Sequence, residues 1–251
     1  MITALYSYGV AMCVFGALLG VADAADVTRE QVMELLGAAT ERRPVDLAGK
    51  DLSRLDFTGV DFKRANLSGA NLSRTIMAHA NLFGAQLTRA MLNGADLSGA
   101  NLDIALMGDA DLTKADLTRA SLFGVLLTRA TLVQANLSGA RIIANMSNAN
   151  LTGANLSGAD MAADMRNQPM GLMRVFLTSA NLTGANLSGA NLARAELSFA
   201  NLSMADLTGA NLFGADVSGA NLDRAIMRGI RGKAEIKGLS SAKNVDKVIF
   251  E

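Results

Sequence analysis

Across residues 45–228 a large apolar side chain recurs at every fifth position: Leu47, Leu52, Phe57, Phe62, Leu67, Leu72, Met77 and onward to Ile142. Two residues before each of these centres stands a small residue, nearly always alanine, as at Ala65, Ala70, Ala80 and Ala85. Asn or Asp lies between the two, and Ser or Thr, then Gly or Arg, follows the centre. Small, polar, large, polar is strand alternation, in which every second side chain shares a face. Five is odd, so unbroken alternation would throw the next centre to the opposite face. The chain must therefore turn once per pentad, at the Gly/Arg position, and short strands joined by corners stack into a solenoid. The same spacing excludes a helix. Each five-residue step would advance the side chain by about 140°, so the leucines would spiral round the axis and form no apolar face.

The phrase Ala-Asn-Leu-Ser-Gly, intact at residues 65–69, 135–139 and 185–189, resembles the A-(D/N)-L-x-x unit of the pentapeptide-repeat family. That resemblance implies an all-β fold: a right-handed quadrilateral β-helix with one pentad per side and twenty residues per coil. Arg54, Arg74, Lys114, Arg174 and Arg194 are spaced by multiples of twenty and would then stand in one column. Counting Leu172 to Met227 with the earlier runs gives thirty-six centres, or about nine coils. At roughly 4.8 Å per coil the rod is about 40 Å long. Each coil leans only on its neighbours, so both open ends need a cover.

The remaining segments supply those covers. Residues 25–44 hold the one helix pattern, with Thr28 and Gln31 as a capping box, Val32, Leu35 and Leu36 as its apolar face, and Gly37 as a stop. Residues 229–251, where the pentads decay, form a C-terminal cap that closes as a last strand or short helix. Residues 1–24 read as a signal peptide: an apolar run at 10–22 precedes Ala22-Asp23-Ala24, a small-x-small cleavage site, although no basic residue comes before Arg29. The protein is thus expected to be exported, to the periplasm or outside a bacterial cell, without stable membrane insertion afterwards. The run is shorter than the about 20 residues that a spanning helix needs. Cleavage would remove Cys13, the only cysteine, and with it any disulfide framework.

The repeat breaks twice. Ile142 to Met146 is a step of four, and residues 162–171 form an irregular, methionine-containing loop. Deletion and insertion cancel, so later pentads return to frame.

Charge and chemistry narrow the function. The 251 residues carry formal net charge +0, which argues against steering toward nucleic acid or anionic membranes. His79 is the only histidine, and a lone histidine lacks the partners that catalysis or metal binding requires. The reading is therefore a non-enzymatic protein-interaction scaffold with no catalytic residues, cofactor or metal, binding an unknown protein partner or a second copy of itself. The alternative implied by the resemblance is a DNA mimic that protects gyrase, a type II topoisomerase. Residues 45–228 contain fifteen acidic and fifteen basic side chains, which does not suit a continuous negative face. At twenty residues per coil, Phe83, Phe123 and Ile143 stack at an outward position, with Ile104, Leu106 and Leu126 beside them and the loop's Met165 and Met170 one coil further on. These eight residues form the candidate partner-binding patch.

Overall fold

The structure is a computed structural model that describes residues 27–164 and 173–251. The signal-peptide segment, Met165, Met170 and the supposed centre Leu172 lie outside the described residues. Among the described residues almost no continuous strand is present. Single parallel bridges join residues twenty apart in four ladders, which begin Asp46↔Asn66, Asp51↔Asn71, Asp56↔Ile76 and Asp61↔Asn81. These define a first, second, third and fourth face. The architecture is of the β-helix type, with little helix.

One pentad explains each side. The centre and the alanine before it point inward: Leu102 and Leu187 are fully buried, and Ala100 and Ala185 retain 1% exposure. The Asx oxygen accepts the N–H two residues on, as Ser203 N–H donates to Asn201 Oδ1 (3.2 Å). The chain then turns the corner: Ala70 N–H donates to the Leu67 carbonyl (3.1 Å). Closing this turn puts the Gly/Arg position at positive φ, 65° at Gly69 and 62° at Arg54. Glycine tolerates that region freely, and other residues pay about 1–2 kcal/mol. Some corners need glycine for space as well. A Cβ at Gly99 would lie 2.5 Å from Nδ1 of His79, whose ring rests on it from the coil before.

Between coils the ladders have a direction. Asn66, Asn71 and Asn81 donate Nδ2–H to Asp46, Asp51 and Asp61 at 2.9, 3.0 and 2.8 Å. These asparagine rungs donate to the coil before them, so the first coil needs only acceptors. Asp fills that position on all four of its sides: Asp46, Asp51, Asp56 and Asp61.

The N-terminal element α1 (Arg29–Ala38) starts with the expected capping box between Thr28 and Gln31. Val32 is buried in the core cluster, Leu36 is packed against it, and Arg29 Nε donates to the Asp56 carbonyl at 2.7 Å. Two expectations fail here. Leu35, about 60° round the helix from Val32, is 46% exposed. Gly37 does not stop the helix, which ends at Ala38 with Ala39 extended.

At the other end the ladders do not decay. They continue through Arg231, Lys237, Lys243 and Ile249, spaced by six residues. The extra residue per side is taken up by three 3-10 turns, Lys233–Glu235, Leu239–Ser241 and Val245–Lys247. Gly232, Gly238 and Asn244 precede them in the left-handed region. A Cβ at Gly232 would meet Phe213 Cα at 2.4 Å, so this change of period depends on glycine. Ile236, Leu239, Val245, Val248 and Phe250 pack half-buried against the core. The expected last strand or short helix is instead a coil of altered period.

Both breaks fall at the corner between the fourth and first faces. Where one residue is missing the chain rounds the corner without a residue at positive φ. The segment β1 (Ser121–Leu126) pairs in parallel with β2 (Arg141–Asn145), with Phe123 opposite Ile143 and an irregularity between Phe123 and Leu126. One coil later the insertion leaves as a hairpin whose stem is the antiparallel bridge Asp164↔Met173, and the ladder resumes at Asn145↔Phe176. Partners across the insertion are 31 apart instead of twenty, as for Asn150↔Asn181. One residue lost and eleven gained amount to two sides. The pentad frame returns, but every later residue stands half a coil away from its count by twenties. Arg174 and Arg194 therefore do not join the Arg54, Arg74 and Lys114 column; they stand at the corner with the two breaks.

Candidate functional site

That corner collects several of the apolar side chains that the pentad has no need of, while others, such as Ile76, Met91 and Phe199, stand elsewhere on the coil. Phe83 and Phe123 directly follow fourth-face centres, and Ile104 occupies a turn position at φ 55°. Leu106 and Leu126 stand in the first-face ladder, where Asn or Asp would otherwise cap the turn. Ile104, Leu106 and Leu126 are 47%, 41% and 44% exposed, and the two phenylalanines are half-buried. Replacing the Asx residue by leucine gives up the side-chain acceptor for the following N–H. A capping hydrogen bond of this kind contributes about 1 kcal/mol, so neither leucine is there for the turn.

Ile143 departs from the expectation. It is 4% exposed and belongs to the interior of this corner. Losing one residue removes the turn that would have carried its side chain outward. It lies opposite Phe123 and shares a hollow with Ala162, Ala163 and Asp164 of the hairpin base. Met165 and Met170, the other two members of the expected patch, fall outside the described residues. In their place the structure brings in Phe176 and, two coils on, Phe213, 37% and 47% exposed. Counting by twenties misses both because the insertion shifts the columns. The legible signal was local: Phe176 precedes the centre Leu177 where Asn or Asp belongs.

Cations sit over the rings. Lys63 Nζ lies 6.0 Å from the Phe83 centroid, the Arg141 guanidinium 5.4 Å from Phe123, and that of Arg174 5.7 Å from Phe176. Arg141 also pairs with Asp164 at 3.4 Å, whose carboxylate is 7% exposed, and so ties the hairpin stem to the apolar corner. Arg174 pairs with Glu196 at 3.4 Å. Asp103, the acidic residue amid the patch, accepts from Ser121 Oγ and Phe123 N–H at 2.6 and 2.9 Å. Two shallow hollows result. One, of about 500 Å³, is lined by Pro44, Lys63, Arg64, Phe83, Ile104 and Leu106. The other, of about 290 Å³, is lined by Leu126, Ile143, Met173, Arg174 and Phe176 with the intervening backbone.

Nothing among the described residues of this corner pairs a nucleophile with a base. Among the described residues no group of His, Cys, Asp and Glu is placed to hold a metal ion. What the arrangement offers is contact: aliphatic and aromatic surface under a cationic rim.

The chain matches the profile described as pentapeptide repeats in eight copies, covering residues 45–142 in overlapping stretches, then 144–162 and 177–229. Among solved structures it is similar to HetL, a pentapeptide repeat protein involved in heterocyst differentiation regulation in the cyanobacterium Nostoc sp. strain PCC 7120. Identity is 30% over 89% of this chain and 99% of that one, with a TM-score of 0.56. The fold is also that of QnrB1, a plasmid-mediated fluoroquinolone resistance protein, at 23% identity over 80% of this chain and 91% of the other, TM-score 0.57. No curated protein matches the chain.

Proposed function

The chain belongs to the pentapeptide-repeat family, and on that premise we propose that it is a non-enzymatic, exported scaffold that docks a protein partner at the corner between its fourth and first faces. In this reading a right-handed β-helix of about nine coils is covered at one end by α1 and at the other by the six-residue coil. Residues 1–24 direct export and are removed. The observation that carries the docking site is the concentration of Leu106, Leu126 and Phe176 in one ladder, at rungs where the turn itself favours Asn or Asp. A regulatory role for the HetL relative accords with a protein that acts by contact rather than by chemistry.

The triple variant Phe83→Ser, Phe123→Ser, Leu126→Ser tests the docking site. It should keep the circular dichroism of the β-helix while losing partner association or, if the partner is a second copy, its elution position on gel filtration. Unchanged association and size would make the corner ordinary surface. Intact-mass measurement of protein from its native host tests export. Tyr6 and Tyr8 are the only tyrosines and there is no tryptophan, so a chain cleaved after Ala24 would also be almost transparent at 280 nm. A full-length chain in the soluble cytoplasm would end the export reading.

A further inference from the structure

We propose that the occupant of this corner is an extended acidic peptide segment, with carboxylates flanking large apolar side chains. The proposal rests on the docking reading above and adds the partner's chemistry.

Three observations select it. The charged side chains lining the larger hollow are Lys63 and Arg64, both cationic, beside Phe83, Ile104 and Leu106. The second hollow repeats the arrangement, with Arg174 as the charged side chain beside Leu126, Met173 and Phe176. Finally, the acids of the corner are already engaged. Asp61 accepts from Asn81 Nδ2 and Lys63 N–H, Asp103 from Ser121, Asp164 from Arg141 and Glu196 from Arg174. Carboxylate oxygens satisfy guanidinium and ammonium groups better than any neutral acceptor.

Geometry sets the length. Four coil steps separate Phe83 from Phe176, about 19 Å at roughly 4.8 Å per step, which an extended chain covers with about six residues. A second copy docked face to face and antiparallel would bring Lys63 and Arg64 against Arg174, like charge on like. A single-stranded nucleic acid would need open ring faces for stacking. Here the rings of Phe83, Phe123 and Phe176 already carry Lys63, Arg141 and Arg174, and between Phe83 and Phe176 the most exposed side chains are aliphatic.

The test titrates the full chain against three fluorescein-labelled probes: Glu-Glu-Leu-Phe-Glu-Ile-Leu-Glu-Glu, the same peptide with every Glu replaced by Lys, and oligothymidylate of nine nucleotides. Fluorescence anisotropy should show saturable, salt-sensitive binding of the acidic peptide alone. Lys63→Glu with Arg64→Glu should weaken it by about tenfold or more and transfer binding to the lysine peptide. Ile104→Ser with Leu106→Ser should abolish it with the circular dichroism intact. Equal binding of both peptides, indifference to charge reversal, or preference for the oligonucleotide would overturn the proposal. If neither peptide binds while the triple variant still loses its native association, the acidic occupant is wrong and the docking corner stands. If the triple variant also loses nothing, the docking reading falls with it.

Discussion

The second and first faces carry the same backbone and different rungs. On the second, asparagines hand hydrogen bonds down the rod. Asn181 Nδ2 donates to Thr152 Oγ1 at 2.9 Å, Asn201 to Thr183 Oγ1 at 2.9 Å, Asn221 to Asn201 Oδ1 at 3.0 Å and Asn244 to Asn221 Oδ1 at 2.8 Å. On the first, the run is Gln86, Leu106, Leu126, Asn145 and Phe176. The backbone does not register the difference: Asn201 N–H reaches the Ala180 carbonyl at 2.9 Å, Phe176 N–H that of Ala144 at 2.9 Å, and Leu126 N–H that of Ala105 at 3.1 Å. The coil is held by its buried centres and main-chain bridges. The rung side chain adds a cap and a ladder bond, and it can be given to another task at modest cost. One face has kept it for stability. The other has exchanged it for apolar surface at Leu106, Leu126 and Phe176.

The core that both faces share should show the largest effects, and it calibrates the rest. Leu102→Ala should cost roughly 2–5 kcal/mol from lost burial and the cavity left behind. Ala100→Leu should cost about 1–3 kcal/mol by overpacking. Denaturant midpoints measure both, and an unchanged midpoint for Ala100→Leu would refute a narrow coil at that position.

Exchanging the rungs tests the comparison itself. Asn201→Leu should destabilise by about 1 kcal/mol, because Ser203 N–H and Asn221 Nδ2 lose their acceptor. Leu126→Asn should be neutral or stabilising by up to about 1 kcal/mol, and should weaken association at the corner. A clear loss of stability in Leu126→Asn would mean that the leucine serves the fold, and the contrast between the faces would vanish.

The smallest effect is acid sensitivity on the first face. Hydrogen bonds from the Ser218 hydroxyl and N–H hold the Asp216 carboxyl below its ordinary range. Its lowered pKa means that the folded chain favours the carboxylate. The contribution is therefore complete above the ordinary carboxylate range and is lost as the pH falls through the lowered value. Midpoints followed from neutral pH into acid should drop slightly more for wild type than for Asp216→Asn. Parallel curves would assign the bond no role in stability.

Much of this was readable from residues alone, and the failures share a cause. The turn at each Gly/Arg position, the inward Ala and Leu, and the Thr28–Gln31 box all follow from interactions spanning two to five residues. Leu35, Ile143 and the Arg174–Arg194 column were misplaced because each depends on what lies alongside in space. The C-terminal coil is a different failure. Its six-residue spacing of Arg231, Lys237, Lys243 and Ile249 was present in the sequence and hidden by the expectation of five.

The sequence by itself determined the coil, because an odd apolar period admits one arrangement in which every centre faces inward and nearly every polar residue faces out. Only the tertiary structure decided which side chains share a corner. That depends on the number of residues between stacked positions, which the missing residue before Met146 and the hairpin closed by Asp164 and Met173 altered at one corner. A local pattern is blind to such a sum. Stacking converts it into contacts, and so it is stacking that puts Phe176 beside Arg174 in the line of Leu106 and Leu126, and folds Ile143 away.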